Sequence, residues 1–426
     1  MQKHFKKCTA ALLVSGLLTS SLVSAQQVLF TDVNIFNGID NKLYKEHNVL
    51  VDGNTIVKIS TDTIETEEDA ILIDADGRTL MPGLIDSHVH LHLNNNDGIT
   101  GLERAPWQEI GAKAALNANE MLMEGFTTVR DMGGSDDGLQ KLIDDGTLVG
   151  PRIYPAGSFI SQTSGHFDFR TDVSSSDHKA QRLNITTIAD GVPEVRRATR
   201  NNFANGATQI KIATSGGVTS HHDPLHTVQY SDQEIQAIVE EAERFDTYVG
   251  SHSITHQSIN HALDNGVKSI EHGAMIDRDT AIKMKQKGAY LVANLAAFSP
   301  YTLSLPQFMV EPSKGKMETV LKNAEIFKQV IQEVQPLVVF QTDVAFADKM
   351  VARKWRDYEK SMNSQFYGNF ISLKSMTYNA GMLAQETGKL NPYPQQLGVI
   401  KVGAYADILL VDGNPLEDMS VIGANP

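Results

Sequence analysis

The central part of the chain alternates short apolar runs with longer amphipathic stretches. The amphipathic stretches have the apolar spacing and length of helices, as in Trp107–Glu124, Pro193–Ala204, Asp232–Arg244 and Ile254–Asn265. The short runs between them have the length of buried strands, and such alternation predicts a parallel sheet covered by helices. We count eight candidate strands, which begin near Leu84, Thr127, Arg152, Gln209, Thr247, Lys268, Tyr290 and Val338.

Eight strand–helix units predict an α/β protein, a (β/α)8 or TIM barrel with insertions. The longest connections between predicted strands are residues 159–190 and 294–318. Long loops that follow barrel strands are the usual places for substrate pockets and lids. We therefore expect the functional site to lie at the end of the barrel that carries these loops.

Both ends of the chain differ from this centre because they are rich in short β-like runs and turn signals. Val49–Val51 and Ile56–Ile59 flank the turn residues 52–54, and Gly398–Ile400 and Ala406–Val411 repeat this character near the C-terminus. The pattern predicts one small β-sandwich domain built from both ends. The predicted boundaries are 1–25 for a signal peptide, 26–81 and 392–426 for the sandwich, and 82–391 for the barrel.

The first 25 residues have the features of a secretory signal. Lys3, Lys6 and Lys7 precede an apolar run over Ala10–Leu22, and Val23–Ala25 has the small-x-small pattern that signal peptidase cleaves. Cleavage after Ala25 is expected, with an uncleaved anchor as the alternative. The predicted location is therefore outside the cytoplasm, as a secreted protein of a bacterial periplasm.

Composition narrows the chemistry of the mature chain. Cys8 is the only cysteine and lies in the predicted signal, so disulfides and thiolate metal ligands are excluded after cleavage. The formal net charge of −14 argues against a nucleic-acid partner, which needs a basic surface. No further apolar run reaches membrane-spanning length, so no membrane partner is expected after signal removal. A homo-oligomer stays open.

The clearest candidate for chemistry is a pair of histidines near the end of the first barrel strand. His88 and His90 are two positions apart, so on a strand their imidazoles point the same way. Neutral imidazole nitrogen is a good ligand for zinc and similar metals. A lone HxH pair is weak evidence, because a pair of satisfied polar histidines has the same spacing.

Further residues of the metal-binding types follow at the ends of later predicted strands. In the barrel fold these carboxyl ends surround one active site. Taken singly, a strand-end lysine is usually solvated, an aspartate often caps a helix, and a histidine often belongs to the core. The residues that accompany the first pair at the ends of strands four, five, six and eight are Lys211, His252, His272 and Asp343.

This order of residues resembles the amidohydrolase superfamily, over nearly the whole mature chain. Within this superfamily the chain resembles the Xaa-Pro dipeptidase and imidazolonepropionase-like enzymes. Gln341 departs from the pattern, since relatives often have glycine there. In addition to the strand-end residues, the resemblance is carried by the sequence segments Pro82–Asp86, Thr127–Asp131, Lys211–Gly217, Ile270–Gly273, Gly403–Asp407 and Gly413–Pro415.

The resemblance implies two divalent metal ions, with zinc as the expected element. It implies that His88, His90 and Asp343 bind the first ion and that His252 and His272 bind the second. Lys211 would be carboxylated on its amine, so that an anionic carbamate bridges both ions. A site with one metal and an unmodified Lys211 is the alternative.

In the expected mechanism, a hydroxide shared by two metals attacks an amide carbonyl. Asp343 would take its proton and deliver it to the leaving amine. The resemblance also implies that His166 hydrogen-bonds the substrate and that Tyr230 assists carbonyl polarisation. Both have ordinary alternatives, a solvated loop for His166 and a packing residue before the Ser231–Glu234 capping box for Tyr230. His221, His222 and His226 are further candidates for the mouth of the site.

The function expected from the resemblance is cleavage of an amide C–N bond by a metal-dependent enzyme of dipeptidase type. The expected small-molecule substrate is a dipeptide, Xaa-Pro-like, or an N-acyl amino acid. One alternative is a cyclic-amide hydrolase that acts on imidazolone- or hydantoin-type rings. Another is a non-catalytic metal-binding protein on the same fold, which should lack ligands, and none is missing here.

Overall fold

A computed structural model describes residues 26–93, 98–170, 172, 174, 178–220, 222–305, 309 and 311–423. The predicted signal peptide lies outside the described residues. Among the helices that the structure describes, none is both long and apolar enough to cross a lipid bilayer.

A mixed sheet is formed by the N-terminal strands together with one strand from the C-terminal part of the chain. Its strands are β1 (Gln27–Ile35), β2 (Tyr44–Asp52), β3 (Thr55–Ser60), β4 (Ile71–Asp74), β5 (Thr79–Pro82) and, from the far end of the chain, β16 (Ile408–Val411). The strand order across the sheet is β16-β5-β1-β2-β3, with β16 antiparallel to β5, and β4 also pairs with β1.

This sheet agrees with the expectation that both chain ends build one β-rich unit. Gly398–Ile400, one of the β-like runs near the C-terminus, does not form a strand. Ile400 instead packs in the core of the sheet beside Val33 and Ile56, and its amide donates to the carbonyl of Asn37 at 3.2 Å. An apolar run near a sheet can thus pack in its core without pairing as a strand. The exact domain boundaries stay a prediction.

The central strands are parallel, as the alternating pattern predicts. They are β6 (Leu84–Val89), β7 (Phe126–Asp131), β8 (Arg152–Pro155), β9 (Phe159–Ser161), β10 (Thr186–Ile188), β11 (Ile210–Ala213), β12 (Val249–Thr255), β13 (Ser269–Met275), β14 (Tyr290–Ala293) and β15 (Leu337–Phe340). One group has the order β6-β7-β8, and the other has the order β10-β9-β11-β12-β13-β14-β15.

Two backbone contacts join these groups into a barrel. The amide of Thr208 donates to the carbonyl of Pro155 at 2.8 Å, which links the end of β8 to the segment just before β11. The amide of Asp343 donates to the carbonyl of His88 at 2.9 Å, which links the segment after β15 to β6. The (β/α)8 barrel with a small β domain is therefore confirmed. The division of the third strand and the added strand β10 were not predicted.

Helices cover the barrel, and the largest apolar cluster lies between them and strands β9 to β15. Three of the four predicted helical stretches begin and end within one residue of an observed helix; the fourth, Ile254–Asn265, begins two residues early. The helices are α1 (Gly98–Arg104), α2 (Trp107–Met123), α3 (Gly138–Asp144), α4 (Lys179–Arg182), α5 (Val192–Ala204), α6 (Asp232–Arg244), α7 (His256–Asp264), α8 (Arg278–Lys287), α9 (Ser313–Leu321), α10 (Ala324–Val334), α11 (Lys349–Tyr367), α12 (Asn369–Met376) and α13 (Tyr378–Gln385).

Helix α6 shows how local sequence sets these elements. Ser231 accepts the amide of Glu234, and the Glu234 side chain accepts the amide of Ser231, which completes the predicted capping box. Ile235 and Ile238 are buried on the face toward the strands. On the side toward α5, the buried Glu241 accepts hydrogen bonds from Arg196 and Arg200, so ionic contacts join two neighbouring helices.

Candidate metal centre

The end of β6 places two imidazoles side by side inside the barrel. The Nε2 atoms of His88 and His90 lie 3.2 Å apart, and both side chains are buried. This is the arrangement expected from the two-residue period of a strand. Two nitrogens this close, both facing inward, are placed to share one cation.

Asp343 meets this pair from the other side of the barrel closure. Its backbone has φ of +52°, a left-handed conformation that turns the chain immediately after β15. One carboxylate oxygen, Oδ1, lies 3.3 Å from Nε2 of His90 and 3.7 Å from Nε2 of His88. One atom from each of these three residues falls within 4.8 Å of the others, so the group can hold a metal ion.

The other three strand-end residues lie next to this group. Nζ of Lys211 is 3.1 Å from Nε2 of His88, and Nδ1 of His272 is 3.8 Å from Oδ2 of Asp343. The ring of His252 lies 4.6 Å from that of His272, measured between centroids. The structure thus brings together all six residues that the sequence singled out as ligands.

The electrostatics of these side chains suit metal binding. Burial lowers the pKa of His88 and of His252 well below the usual value, and it lowers that of His272 to about 4. The imidazoles are therefore neutral, which is the form that coordinates a metal. Nε2 of His252 is buried and has no hydrogen-bond partner among the described residues, as expected of a nitrogen reserved for a ligand. The donor set fits divalent metal ions.

A buried ion pair that the sequence did not predict lies beneath the cluster. Glu271 accepts a hydrogen bond from Nδ1 of His88 at 2.9 Å and from the guanidinium of Arg130 at 2.8 and 2.9 Å. Arg130 also donates to the carbonyl of Ser87 and to the hydroxyl of Tyr248. Arg130 and Glu271 both lie in sequence segments that carry the family resemblance, and this was the only feature of the sequence that could have indicated them.

Two further polar residues support the ligands from behind. Asp86 accepts the hydroxyl of Thr342 at 2.5 Å and the amides of Thr342 and His88, so it ties the ends of β6 and β15 together. Gln341 donates to the carbonyl of Val292 at 2.6 Å. Gln341, the residue expected to depart from the family pattern, is buried, and Asp343 still reaches the cluster.

His166 lies at the cluster and not in a solvated loop. Its ring stacks on that of His252, with 3.8 Å between centroids, and the residue is only 9% exposed. Its Nδ1 lies 3.1 Å from Oδ2 of Asp223 and 3.0 Å from the hydroxyl of Ser220. This position agrees with a substrate contact, although the role itself stays a prediction.

Tyr230 packs in the core, which favours its alternative interpretation as a packing residue over a catalytic role. Its φ of +61° turns the chain just before α6 and sends the ring into the core between helices and strands. The hydroxyl donates to the carbonyl of Ala189 at 3.1 Å, and burial raises its pKa well above the usual value. The alternative interpretation, a packing residue before a capped helix, agrees with this geometry.

Of the remaining histidine candidates, two lie in the described part of the chain and one does not. His222 and His226 are exposed in the loop that follows β11, and a ring nitrogen of His222 lies 3.0 Å from the carbonyl of Arg170. This contact joins the loops that follow β9 and β11 at the mouth. His221 lies outside the described residues.

Comparison with known proteins agrees with this site. The amidohydrolase family matches residues 79–425 of the chain. The ochratoxinase of Aspergillus niger is 31% identical over 355 residues, which are 80% of this chain and 72% of that protein. A solved structure of a prolidase complexed with N-methylphosphonate-L-proline is 35% identical with a TM-score of 0.85, over 93% of this chain and 95% of that one.

A Xaa-Pro dipeptidase with methionine bound in its active site is also similar. It is 27% identical with a TM-score of 0.80, and the match covers 93% of this chain and 96% of that one. The family match spans most of the chain, and the barrel mouth carries a donor set that fits metal ions. The chain therefore belongs to the amidohydrolase family and is a metal-dependent hydrolytic enzyme.

Proposed function

We propose that this enzyme uses two divalent metal ions, zinc being the expected element, to hydrolyse the amide bond of a dipeptide or an N-acyl amino acid. The observation that carries the proposal is the position of Lys211. Its Nζ lies 3.1 Å from Nε2 of His88 and, like the ring of His252, it is buried at the mouth of the barrel. A lysine between the two groups of histidines is placed to bridge two metal ions. A site with one ion held by His88, His90 and Asp343 would not need it.

The ligand assignment follows from which atoms are neighbours. His88, His90 and Asp343 would hold one ion, and His252 and His272 would hold the other. Lys211 would be carboxylated and shared, because two dications need negative charge between them and an ammonium group would repel both. The buried, neutral imidazoles and the unpartnered Nε2 of His252 support this division.

Bound metals would supply Lewis acidity, which makes water nucleophilic at neutral pH and polarises a carbonyl. Asp343 is the proton carrier in this proposal. Its side chain is 28% exposed whereas those of His88 and His90 are at most 7% exposed, so its carboxylate is reachable from the mouth. It would accept a proton from the attacking water and donate it to the leaving amine nitrogen.

The proposed substrate class rests on the similar proteins and on the wall of the site. The similar prolidase binds N-methylphosphonate-L-proline, a proline whose nitrogen carries a tetrahedral phosphorus group. In this chain the ring centroid of Phe159 lies 5.1 Å from that of His90. The Phe159 ring also stacks on Phe167, with 4.3 Å between centroids. An aromatic wall beside the ligands favours an apolar side chain or a proline ring next to the scissile bond.

A panel of substrates tests this proposal. Purified, zinc-loaded enzyme would be assayed with Xaa-Pro dipeptides, N-acyl amino acids, hydantoins and imidazolones, each with and without chelator. Chelator-sensitive cleavage of the linear amides is the expected result. Turnover of the cyclic amides alone would replace the proposal by its cyclic-amide alternative. No turnover of any amide by a fully loaded enzyme would overturn the proposed reaction and direct the search to other scissile bonds, such as those of esters.

We also propose that the chain is exported to a periplasm after cleavage following Ala25. The lysines and the apolar run of the first 25 residues support this proposal. N-terminal sequencing of the protein from a periplasmic extract would test it, and a mature chain that begins at Gln26 is the expected result. A chain that keeps Met1 in the membrane fraction would favour the uncleaved anchor.

A further inference from the structure

The loop that follows β11 returns across the site and contacts His166. Oδ2 of Asp223 accepts the amide of Gly217 at 2.7 Å and lies 3.1 Å from Nδ1 of His166. The hydroxyl of Ser220 donates to the carbonyl of Gly217 at 3.1 Å and lies 3.0 Å from the same Nδ1. The hydroxyl proton is thus already used, and a carboxylate only accepts. Both contacts therefore require a hydrogen on Nδ1.

The loop backbone packs directly against the imidazole. A Cβ atom added to Gly217 would lie only 2.0 Å from Cε1 of His166, so this approach needs glycine. The same ring stacks on His252, one of the proposed ligands. These contacts restrict how the His166 ring can turn. Among the described residues its hydrogen bonds fall on Nδ1, which leaves Nε2 for a ligand.

Lys316 of α9 fastens this loop in place. Its Nζ donates to the carbonyls of Gly217, Ser220 and Asp223 at 2.9, 2.7 and 2.8 Å. An ammonium group has three hydrogens, so these bonds use all of them and Lys316 has none left for a substrate carboxylate. The same Nζ lies 3.8 Å from Oδ1 of Asp223, which is buried without a hydrogen-bond partner in the described part of the chain. The nearby positive charge offsets that carboxylate.

We propose that Asp223 is a positioning residue that holds His166 as the Nδ1–H tautomer and so presents Nε2 to the substrate. Lys316 keeps the carboxylate in place by fixing its loop. The inference rests on the proposed function, because that function gives His166 a substrate to contact. In a serine protease triad, a buried aspartate holds the tautomer of its histidine in the same way.

The tautomer of His166 can be measured without any substrate. Zinc-loaded full-length enzyme with ¹⁵N-labelled histidine gives nitrogen spectra that distinguish the two tautomers, and His166→Gln identifies the resonance. We expect Nδ1–H in the wild type and a shift toward Nε2–H in Asp223→Ala, partly restored in Asp223→Asn. Asp168→Ala is the matched control, since this buried carboxylate in a mouth loop bonds Ser164 and Arg170 instead. Nε2–H in the wild type, or no change in Asp223→Ala, would overturn the inference.

A double-mutant cycle tests the same point during turnover of an amide substrate. Asp223→Ala should lower kcat/KM about 10–100-fold, the usual effect of losing a partner that orients a functional histidine. In a His166→Ala background the same change should cost less than about 2-fold, because the residue it positions is gone. Equal losses in both backgrounds would overturn the inference. If no amide is cleaved, the proposed function fails, while the tautomer measurement still decides the role of Asp223.

Discussion

Nδ1 of His88 donates a hydrogen bond to Oε2 of Glu271, at 2.9 Å, in the buried centre of the barrel. Arg130 holds the carboxylate of Glu271 from the other side, with its guanidinium 2.8 Å from Oε2. A carboxylate that only accepts places the ring hydrogen of His88 on Nδ1, so Nε2 keeps the lone pair that faces the cluster. The pair fixes the tautomer that a metal ligand needs.

We expect Glu271→Gln to weaken metal binding about 10–100-fold, because partners that orient a ligating histidine have effects of this size. Competition with a chromophoric chelator measures the affinity. The matched control is Glu124→Gln, which breaks another buried pair, that of Glu124 with Arg356. The control should lose stability and keep its metal affinity. An unchanged affinity in Glu271→Gln would contradict the role given to this carboxylate.

Asp343→Asn should reduce kcat at least about 100-fold, since a positioned proton carrier contributes that much or more. The asparagine cannot take up a proton at neutral pH. Circular dichroism and metal content, measured on the same sample, separate loss of chemistry from loss of fold or of metal. Near-normal turnover by a loaded Asp343→Asn enzyme would exclude Asp343 as the proton carrier.

Tyr230→Phe should leave kcat and KM within about 2-fold of the wild type, because its hydroxyl bonds Ala189 in the core. Loss of this buried hydrogen bond should lower the free energy of unfolding by about 1 kcal/mol. Steady-state kinetics and urea unfolding measure the two effects. A large fall in kcat with unchanged stability would support the catalytic interpretation of Tyr230 instead.

Glu241 gives a prediction about stability and pH. Hydrogen bonds from Arg200 and then Arg196 lower the pKa of Glu241 to about 2 in the folded protein, from an ordinary value of 4.5. A lowered folded pKa means that the stabilisation is complete above about pH 4.5 and is lost as the pH falls toward 2. Glu241→Gln should therefore cost about 2 kcal/mol at pH 7, and the difference should shrink in acid.

Urea unfolding of Glu241→Gln and wild type at pH 7, 5 and 3.5 measures this difference. Glu243→Gln is the control, because this glutamate lies exposed on the same helix. This change removes one negative charge without altering the contacts of Arg196 and Arg200. It should have little effect on the free energy of unfolding at any of these pH values. A cost of Glu241→Gln that stays constant down to pH 3.5 would contradict the account.

The sequence predicted the barrel and the meeting of the six strand-end residues because both depend on periodic signals. Observed strands begin at Ile210 and Val249, within two residues of the predicted starts. Since parallel strands end at one edge, residues at those ends gather without any knowledge of packing. The His88–His90 pair follows from the strand period alone.

The positions that the sequence did not predict depend on backbone turns and tertiary packing. Strand alternation would point Glu271 and His272 to opposite faces, but His272 has φ of +72°, and both side chains reach the cluster. Tyr230 also has a left-handed backbone, and its ring lies in the core. A single unusual φ changes the direction of a side chain, and an alternation pattern does not reveal it.

The proposed function depends on a two-metal site that includes Lys211. The most direct measurement is the metal content per chain of wild type and Lys211→Ala, by elemental analysis after loading and removal of free zinc. Two metals per wild-type chain, falling to one or fewer in Lys211→Ala, is the predicted result. One metal per wild-type chain, unchanged in Lys211→Ala, would contradict the bridging role and leave a mononuclear hydrolase.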